Sequence, residues 1–595
     1  MNPSLLRSFS VKYQLLLLLV VLIGLNANTL SNEYALDDTV VLTENRIVQQ
    51  GINGIPEILR TDYVRGFTKE ENILSAGRFR PLTLISFALE YQFFGASPLI
   101  SHLINLVLFA LLILLLFRIL QIFFHRENNA LPFLACLFFI LHPIHTEVIA
   151  NVKSRDELLT FLFTLLSLLS TFTYLKGGDK RFQIASFLCF FCALLAKETA
   201  ITYLAILPLT LFYFSSLSFA KILRITIPFL LLAFIYAGIR YNAIGFHSYT
   251  VTDVTNSPYI YASYSDAFAT KTFVVLKYIL LLFFPVHLTT EYGFQQIPII
   301  QIQSFSFIIS SVCILGLLSF AMLTFKKKSI VSFCILYFFI TLSPGTNFII
   351  DLGAPMAERM LFQPSLAFCI LLSILILKFA VNYRYASIGL ALIISILFSV
   401  KTIARNSEWK NNETLFLADI LNSPNSARMN LYVCEQYIIK ANKEVNLKTK
   451  YAYLDTAINY GERSMQIHSK FAYTYLRLGL AHLYRSNYES AAKIWIRAAE
   501  LEPKNPEVIY WTSYLSNALN TEGNKWYEQD SVQRAIQYYE LSLKLNANNI
   551  EILYNLGGMY FANGDSVLAN EKWEKVRTLD PRHRFNKSEF IKENN

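Results

Sequence analysis

Charge is scarce in this chain. Only 16% of its 595 residues are Asp, Glu, Lys or Arg, where a soluble protein carries about a quarter. With 54% hydrophobic residues, much of the chain must avoid water. Cysteine is also scarce: there are seven, six of them inside apolar runs (Cys136, Cys189, Cys192, Cys313, Cys334, Cys369). That excludes a disulfide scaffold. The Cys189/Cys192 pair has neither the βαβ context of a redox motif nor the further ligands of a zinc site. No glycine-rich phosphate loop, dinucleotide fingerprint or nucleophile elbow occurs, which argues against a nucleotide-fuelled step. The formal charge of +10 falls mostly in residues 1–404 (28 Lys and Arg, 20 Asp and Glu), with 24 against 22 in residues 405–595. No basic stripe marks the polar part, so nucleic acid is not an expected partner.

These deficits point to a polytopic membrane protein with a soluble tail. A helix crosses a hydrocarbon core with about 20 apolar residues. Runs of that kind lie near 13–30, 99–122, 130–147, 157–175, 183–197, 201–219, 223–243, 302–325, 329–350, 360–381 and 385–403. The run at 183–197 is short. A further stretch, 269–287, is interrupted by Lys271, Lys277, Pro285 and His287. Arg7 and Lys12 precede the first run as in a signal peptide, but Asn26, Asn28 and Ser31 follow it without a small-residue cleavage site, so a retained anchor is the expectation.

The positive-inside bias sets the orientation. With the N-terminus inside and eleven spans, the inside loops hold Arg7, Lys12, Arg118, Arg126, Lys176, Lys180, Arg181, Lys221, Arg224, Lys326, Lys327, Lys328, Lys378 and Arg384, against only Glu127 and Asp179. A full span at 269–287 would move the triple lysine outside. That stretch therefore reads as a re-entrant or interfacial helix, and residues after 404 lie outside.

The polar tail repeats. In FAYTYLRLGLAHLYRSNYESAAKIWIRAAELEP, Tyr475, Leu478, Gly479, His482, Ala491, Trp495, Ala498 and Pro503 fit the tetratricopeptide frame. Leu553, Leu556, Gly557, Tyr560, Ala569, Trp573 and Pro581 repeat it. A weaker copy holds Gly523, Trp526, Ala535 and Tyr539, and a degenerate one holds Ala457. Successive alanines lie 34, 44 and 34 residues apart, so the array has one ten-residue insertion. The expected organisation is a membrane domain over 1–404, a linker over 405–429, three to four repeats over 430–585 and a tail over 586–595. The fold class is all-α, a membrane helix bundle followed by an α-solenoid that offers a docking surface for polypeptide.

Ionisable groups at membrane edges are costly and are functional candidates by default. On this topology they gather on the outer side. YALDDTVVLTEN carries Asp37 and Asp38; GRFRPL carries Arg78 and Arg80; SHLIN carries His102 and Asn105. LHPIHTEVIANVKSRDE brings His142, His145, Glu147, Lys153, Arg155 and Asp156. Lys197 and Glu198 stand in LLAKET, Glu291 and Tyr292 in PVHLTTEYGF, and Asp351, Glu358 and Arg359 in DLGAPMAERMLFQPS. Carboxylates can serve as a general base or hold a metal, while Arg and Lys suit an anionic group such as phosphate. His142, His145 and Glu147 do not have the spacing of a zinc helix, and hydrogen bonding at the interface is the plainer reading. A solvated pair is the plain alternative for Asp37–Asp38, and a mutually paired couple for Lys197 and Glu198. The tyrosines of YIYASYSD (259–266) suit a membrane interface.

The succession YALDDTVVLTEN, RFRPLTLISFALEYQFFG, HLIN, HPIHTEVIANVKSRDELL, LLAKETA, PVHLTTEY, AERMLFQPS and RNSEW, followed by the repeats, resembles the transmembrane and tetratricopeptide-repeat O-mannosyltransferases. These are GT-C-class glycosyltransferases, and the resemblance runs from about residue 10 to 590. It implies transfer of a sugar, a hexose such as mannose, from a polyprenyl-phosphate donor to a Ser or Thr hydroxyl of a protein on the non-cytoplasmic face. It makes Asp37 or Asp38 the catalytic base, with Asp37 favoured. Arg155, Lys197, Arg359 and Arg80 become candidates for the donor phosphate, and His102, His142, His145, Glu147, Glu198, Glu291 and Glu358 for substrate binding. The co-substrate is the lipid-linked sugar; no cofactor is assigned, and a divalent metal is left open.

Two sequons, Asn412-Glu-Thr and Asn586-Lys-Ser, lie in the tail. The Ile, Asn, Lys and Phe content resembles an AT-rich bacterial genome and favours the bacterial inner membrane, with periplasmic repeats, over the endoplasmic reticulum. Other readings stay open: the same chemistry on a glycan or lipid acceptor, a non-catalytic membrane scaffold, or a transporter, whose charges belong nearer the midplane.

Overall fold

The computed structural model describes residues 10–68, 77–124, 130–245, 254–349 and 351–584. Arg7, Arg126, Glu127, the Asn586 sequon and the tail 586–595 lie outside the described residues. The described chain is helical, and its one β-type pairing is an isolated bridge between Phe294 and Ile297. It divides into two compact units, Met1–Ser423 and Pro424–Asn595.

The first unit is a bundle of apolar helices. Among the described residues, seven are long and apolar enough to cross a membrane: Val11–Ser31, Pro98–Phe123, Val152–Gly177, Phe219–Ile244, Phe305–Phe325, Ser365–Asn382 and Arg384–Glu408. An eighth span would be the pair Ala130–Leu141 and Pro143–Ala150, bent by 57°. Pro143 has no N–H to continue the helix, and the Ile144 N–H instead donates to His142 Nδ1 at 3.2 Å. Of the eleven expected spans, three remain. Lys180–Ala196, Glu198–Phe214 and Ile330–Thr346 are apolar but hold 17 residues or fewer. Each is ended or interrupted by a polar or turn segment: Lys197 with Glu198, Ser215, or Ser343-Pro344-Gly345, where the α-helix Ile330–Leu342 gives way to a tighter turn. The stretch around 269–287 forms a 20-residue helix, Tyr264–Phe283, outside the set of span candidates.

Residues 405–429, expected as a linker, are mostly ordered into the first unit. The last long helix runs on to Glu408, and a capped helix follows at Asn412–Asn422. Arg405 and Asp419 form a buried ion pair at 2.6 Å that ties the two together. The pair explains why a charged segment there folds back instead of spanning freely.

Among its described residues the second unit holds four helix pairs: Ala427–Lys443 with Leu447–Ile467, Ala472–Tyr484 with Tyr488–Leu501, Pro506–Glu528 with Val532–Leu545, and Ile550–Ala562 with Ser566–Leu579. Ala457, Ala491, Ala535 and Ala569 are fully buried. The ten extra residues lie in Pro506–Glu528, 23 residues long where its counterparts Ala472–Tyr484 and Ile550–Ala562 have 13. Glycine is required at the contact between paired helices: a Cβ on Gly479 would stand 2.2 Å from the Trp495 ring, and one on Gly557 2.5 Å from Trp573. Each of these indoles also donates to a carbonyl of the preceding helix, Leu476 and Tyr554, at 3.0 and 3.1 Å.

Candidate active site

Residues 27–68 fold into short helical turns with a small core of their own. Val41, Leu42, Ile47, Val48, Ile58 and Tyr63 pack with Leu84, Phe87 and Ala88 of helix Pro81–Phe94 and with Val152. This core fixes Asp37 and Asp38, whose surroundings are opposite. Asp38 is fully buried. Its carboxylate accepts the Ala35 N–H at 3.0 Å and the Lys153 N–H at 2.7 Å. Burial pushes its pKa up to about 7, against the pull of those two amides. Asp37 is half-buried, and its carboxylate takes no hydrogen bond from any described residue. It lies close enough to act electrostatically on Lys153, Arg359 and Tyr63.

Behind Asp37 the cations are held by carboxylates. Arg80 grips Glu198 with two guanidinium nitrogens and Asp156 with the third, at 2.6 Å, while lying over the Tyr63 ring. Lys197 pairs with Glu157 at 2.5 Å and approaches Asp156 at 3.6 Å. Lys153 reaches Asp156 only at 3.9 Å. Arg155 points away from this group. It pairs with Glu90 at 2.6 Å, donates to Asn105 and the Ser101 carbonyl, and covers the Phe87 ring. Arg359 pairs with Glu147 at 2.5 Å and also uses its backbone N–H on that carboxylate, yet its side chain stays 19% exposed. Three of the four candidate phosphate ligands therefore meet in one cluster (Arg80, Lys197, Arg359), and Arg155 is taken up by Glu90.

The expected substrate-binding residues separate. Glu147 and Glu198 join the cluster, Glu198 with 34% of its side chain exposed. His142 and His145 are packed among Phe139, Phe362, Phe368 and Phe398. Both ring nitrogens of each are occupied: His142 by the Leu282 carbonyl and the Ile144 N–H, His145 by the Phe139 carbonyl and Ser365. These bonds are made within the protein and leave no ring nitrogen of either histidine unpartnered. His102 is buried with one nitrogen 3.4 Å from the Glu33 carbonyl. Glu291 turns onto the Gly293 N–H at 2.6 Å. Glu358 accepts from the Thr289 N–H at 2.5 Å and the Tyr292 hydroxyl at 2.8 Å, and burial pushes its pKa up to about 8.

A cleft opens beside the cluster, lined by Glu157, Thr199, Thr202, Thr341, Arg359 and Gln363. It shares Thr202, Thr341 and Gln363 with a longer apolar cleft that runs down between the helices past Tyr203, Phe161, Leu120 and Phe123. Such a shape suits an amphiphile with an anionic head at Arg359 and an apolar tail among the helices. Among the described residues, no three His, Cys, Asp or Glu side chains come together as a metal site; Asp38 is engaged by two backbone amides, and Asp156, Glu157, Glu198 and Glu147 by Arg and Lys. The donor set thus fits an organic anion better than a protein-held cation.

Glu157, which holds Lys197, and Glu90, which holds Arg155, were not among the candidates read from the sequence. Glu90 stands mid-helix in an otherwise apolar run, PLTLISFALEYQFF, and that isolation was the available signal.

The bundle, the cluster at one of its ends and the helix pairs define a multi-pass membrane protein with a buried ionic site and an appended repeat array. The chain is similar along much of its length to proteins named protein O-mannosyl-transferases. It is 25% identical to protein O-mannosyl-transferase F38B6.6 of Caenorhabditis elegans across 69% of the chain and 58% of that protein. It is 23% identical to TMTC3 of Homo sapiens across 94% and 67%, and 24% identical to human TMTC4 across 71% and 63%. The chain thus matches about three fifths to two thirds of these relatives' lengths. No protein-family model matches it.

Proposed function

We propose that the chain is a GT-C-type glycosyltransferase that moves a hexose, mannose in the first instance, from a polyprenyl-phosphate donor to a Ser or Thr hydroxyl of a polypeptide. The observation that carries this reading is the division of the acidic pair. Asp38 is spent on two backbone amides, while Asp37 is half-exposed, unpaired among described residues and within electrostatic reach of Arg359 at the mouth of a cleft with an apolar interior.

A Ser or Thr hydroxyl is a poor nucleophile until a base removes its proton as it attacks. Asp37 is placed for that step. As the acceptor oxygen bonds to the anomeric carbon, the bond to the donor phosphate breaks and its electron pair stays on the phosphate oxygen. Arg359, held in orientation by Glu147, faces that growing charge, and fixed cations in a water-poor site are effective there. Arg80 and Lys197 add positive potential from behind. The repeat array supplies a surface for the polypeptide acceptor.

The names of the relatives and the shared order of motifs support protein O-mannosylation. Reaction on the non-cytoplasmic face, and a home in a bacterial inner membrane with periplasmic repeats, follow from the loop charges and residue bias. The test is transfer of radiolabel from polyprenyl-phosphate mannose to protein in membranes with and without the chain. Label in protein only when the chain is present supports the reading. Absence of transfer across several donor sugars and acceptors refutes it and favours a scaffold.

A further inference from the structure

Among the described residues, five cations belong to the segments around the candidate site, and four are engaged by carboxylates. Arg80 makes three hydrogen bonds to Glu198 and Asp156. Lys197 is bonded to Glu157, Arg155 to Glu90 and Asn105, and Arg359 to Glu147. Lys153 is different. Its single ion contact, to Asp156, is 3.9 Å, beyond hydrogen-bond range. No described residue receives a hydrogen bond from its ammonium, and its nitrogen is not among the buried polar atoms that lack a partner, so it keeps a small opening.

The fold takes trouble to place this residue. Its backbone N–H is bonded by Asp38 at 2.7 Å, which fixes it beside the first loop. Its side chain lies within electrostatic reach of Asp37 and Arg359, one on the base side and one on the phosphate side of the site. An ammonium carries three donors. Here all three are free of described partners, while each of the other four cations is held by a carboxylate at 2.6 Å or closer.

We propose that Lys153 contacts the donor phosphate directly and receives the leaving group. This rests on the lipid-phosphate reading above. When the acceptor oxygen bonds to the anomeric carbon, the carbon–oxygen bond to phosphate breaks with its electron pair on the phosphate oxygen. The acceptor proton passes to Asp37. The released polyprenyl phosphate carries one more negative charge than it did in the donor, and the three free N–H donors of Lys153 meet that oxygen. Asp38, through the Lys153 N–H, is then a positioning residue.

The test uses the full chain in lipid nanodiscs, with radiolabelled polyprenyl phosphate as probe and uncharged polyprenol as control. Hydrogen bonds to charged groups are worth about 1.5–3 kcal/mol, which converts to roughly tenfold to 150-fold in affinity. Lys153→Met should weaken polyprenyl phosphate binding by that factor and leave polyprenol binding unchanged, while Lys153→Arg retains most of the discrimination. In the wild type, bound polyprenyl phosphate should protect the Lys153 amine from reductive methylation, a readout that needs no variant to fold. Wild-type binding of the phosphate with equal affinity in Lys153→Met, or no protection, overturns the assignment and leaves the glycosyltransferase reading standing. No preference for the phosphate over polyprenol in the wild type overturns both.

Discussion

The carboxylate of Asp38 accepts the backbone N–H of Lys153 at 2.7 Å, across 115 residues of sequence. This bond joins the first polar loop to the segment that supplies Lys153, Arg155, Asp156 and Glu157, and so brings the unpaired Asp37 to the cations. The remaining polar contacts are built around that junction.

Asp38 should therefore matter for stability in a pH-dependent way. Burial raises its folded pKa from the ordinary 3.8 to about 7. The folded state then holds a proton that the unfolded state has lost, so the contribution is full below the unfolded value and fades as pH rises through about 7. The thermal unfolding midpoint of the wild type relative to Asp38→Asn should fall between about pH 4 and 7. A flat difference over that range contradicts the burial. Asp38→Ala should be worse than Asp38→Asn, by about 1–3 kcal/mol, because Asn keeps an oxygen for one of the two amides and Ala strands both.

Glu358 offers the complementary test. Burial raises its pKa to about 8, so near neutral pH the protonated acid predominates. A Gln there keeps an acceptor for the Thr289 N–H and the Tyr292 hydroxyl. Glu358→Gln should leave unfolding unchanged at pH 7 and transfer within a few-fold of wild type, whereas Glu358→Ala should destabilise. A large loss of transfer in Glu358→Gln without unfolding would place Glu358 in the chemistry instead.

Arg359 is oriented by a carboxylate that binds both its side chain and its backbone N–H. Lysine cannot reproduce a planar, forked guanidinium. Arg359→Lys should lower kcat about tenfold or more, and Glu147→Gln should do the same by releasing the guanidinium, both without loss of the folded protein in detergent. Unchanged kcat in both would remove Arg359 from the site.

In the repeat array, Gly479→Val should destabilise the full chain by about 1–3 kcal/mol, the usual cost of overpacking, because its first carbon meets the Trp495 ring. Gly389→Ala, with open space around it, is the neutral control. Limited proteolysis at rising temperature reads both.

The parts of this architecture that were readable in sequence are those with local periods. Apolar runs of span length, the Gly–Trp spacing of the repeats and the Asp37–Asp38 pair stand within one stretch of chain. The two acidic neighbours could not be told apart there, since their difference lies in what Ala35 and Lys153 bring to one of them. The pairing of Arg155 with Glu90 was equally hidden, because a partner 65 residues away leaves no periodic mark. His142 and His145 carried the look of ligands, yet the HPIH segment uses them to replace bonds broken by Pro143 and to pack among phenylalanines. The helices near 201–219 and 329–350 end earlier than hydropathy alone suggests, at the polar turns that carry Ser215 and Ser343.

The most direct measurement is the steady-state rate of sugar transfer from polyprenyl-phosphate mannose by purified wild type and Asp37→Asn at matched folded concentration. General-base removal costs about a hundredfold to ten-thousandfold. The account predicts a fall in kcat of that size, with donor KM and thermal midpoint close to wild type. Transfer by Asp37→Asn within a few-fold of wild type would contradict it.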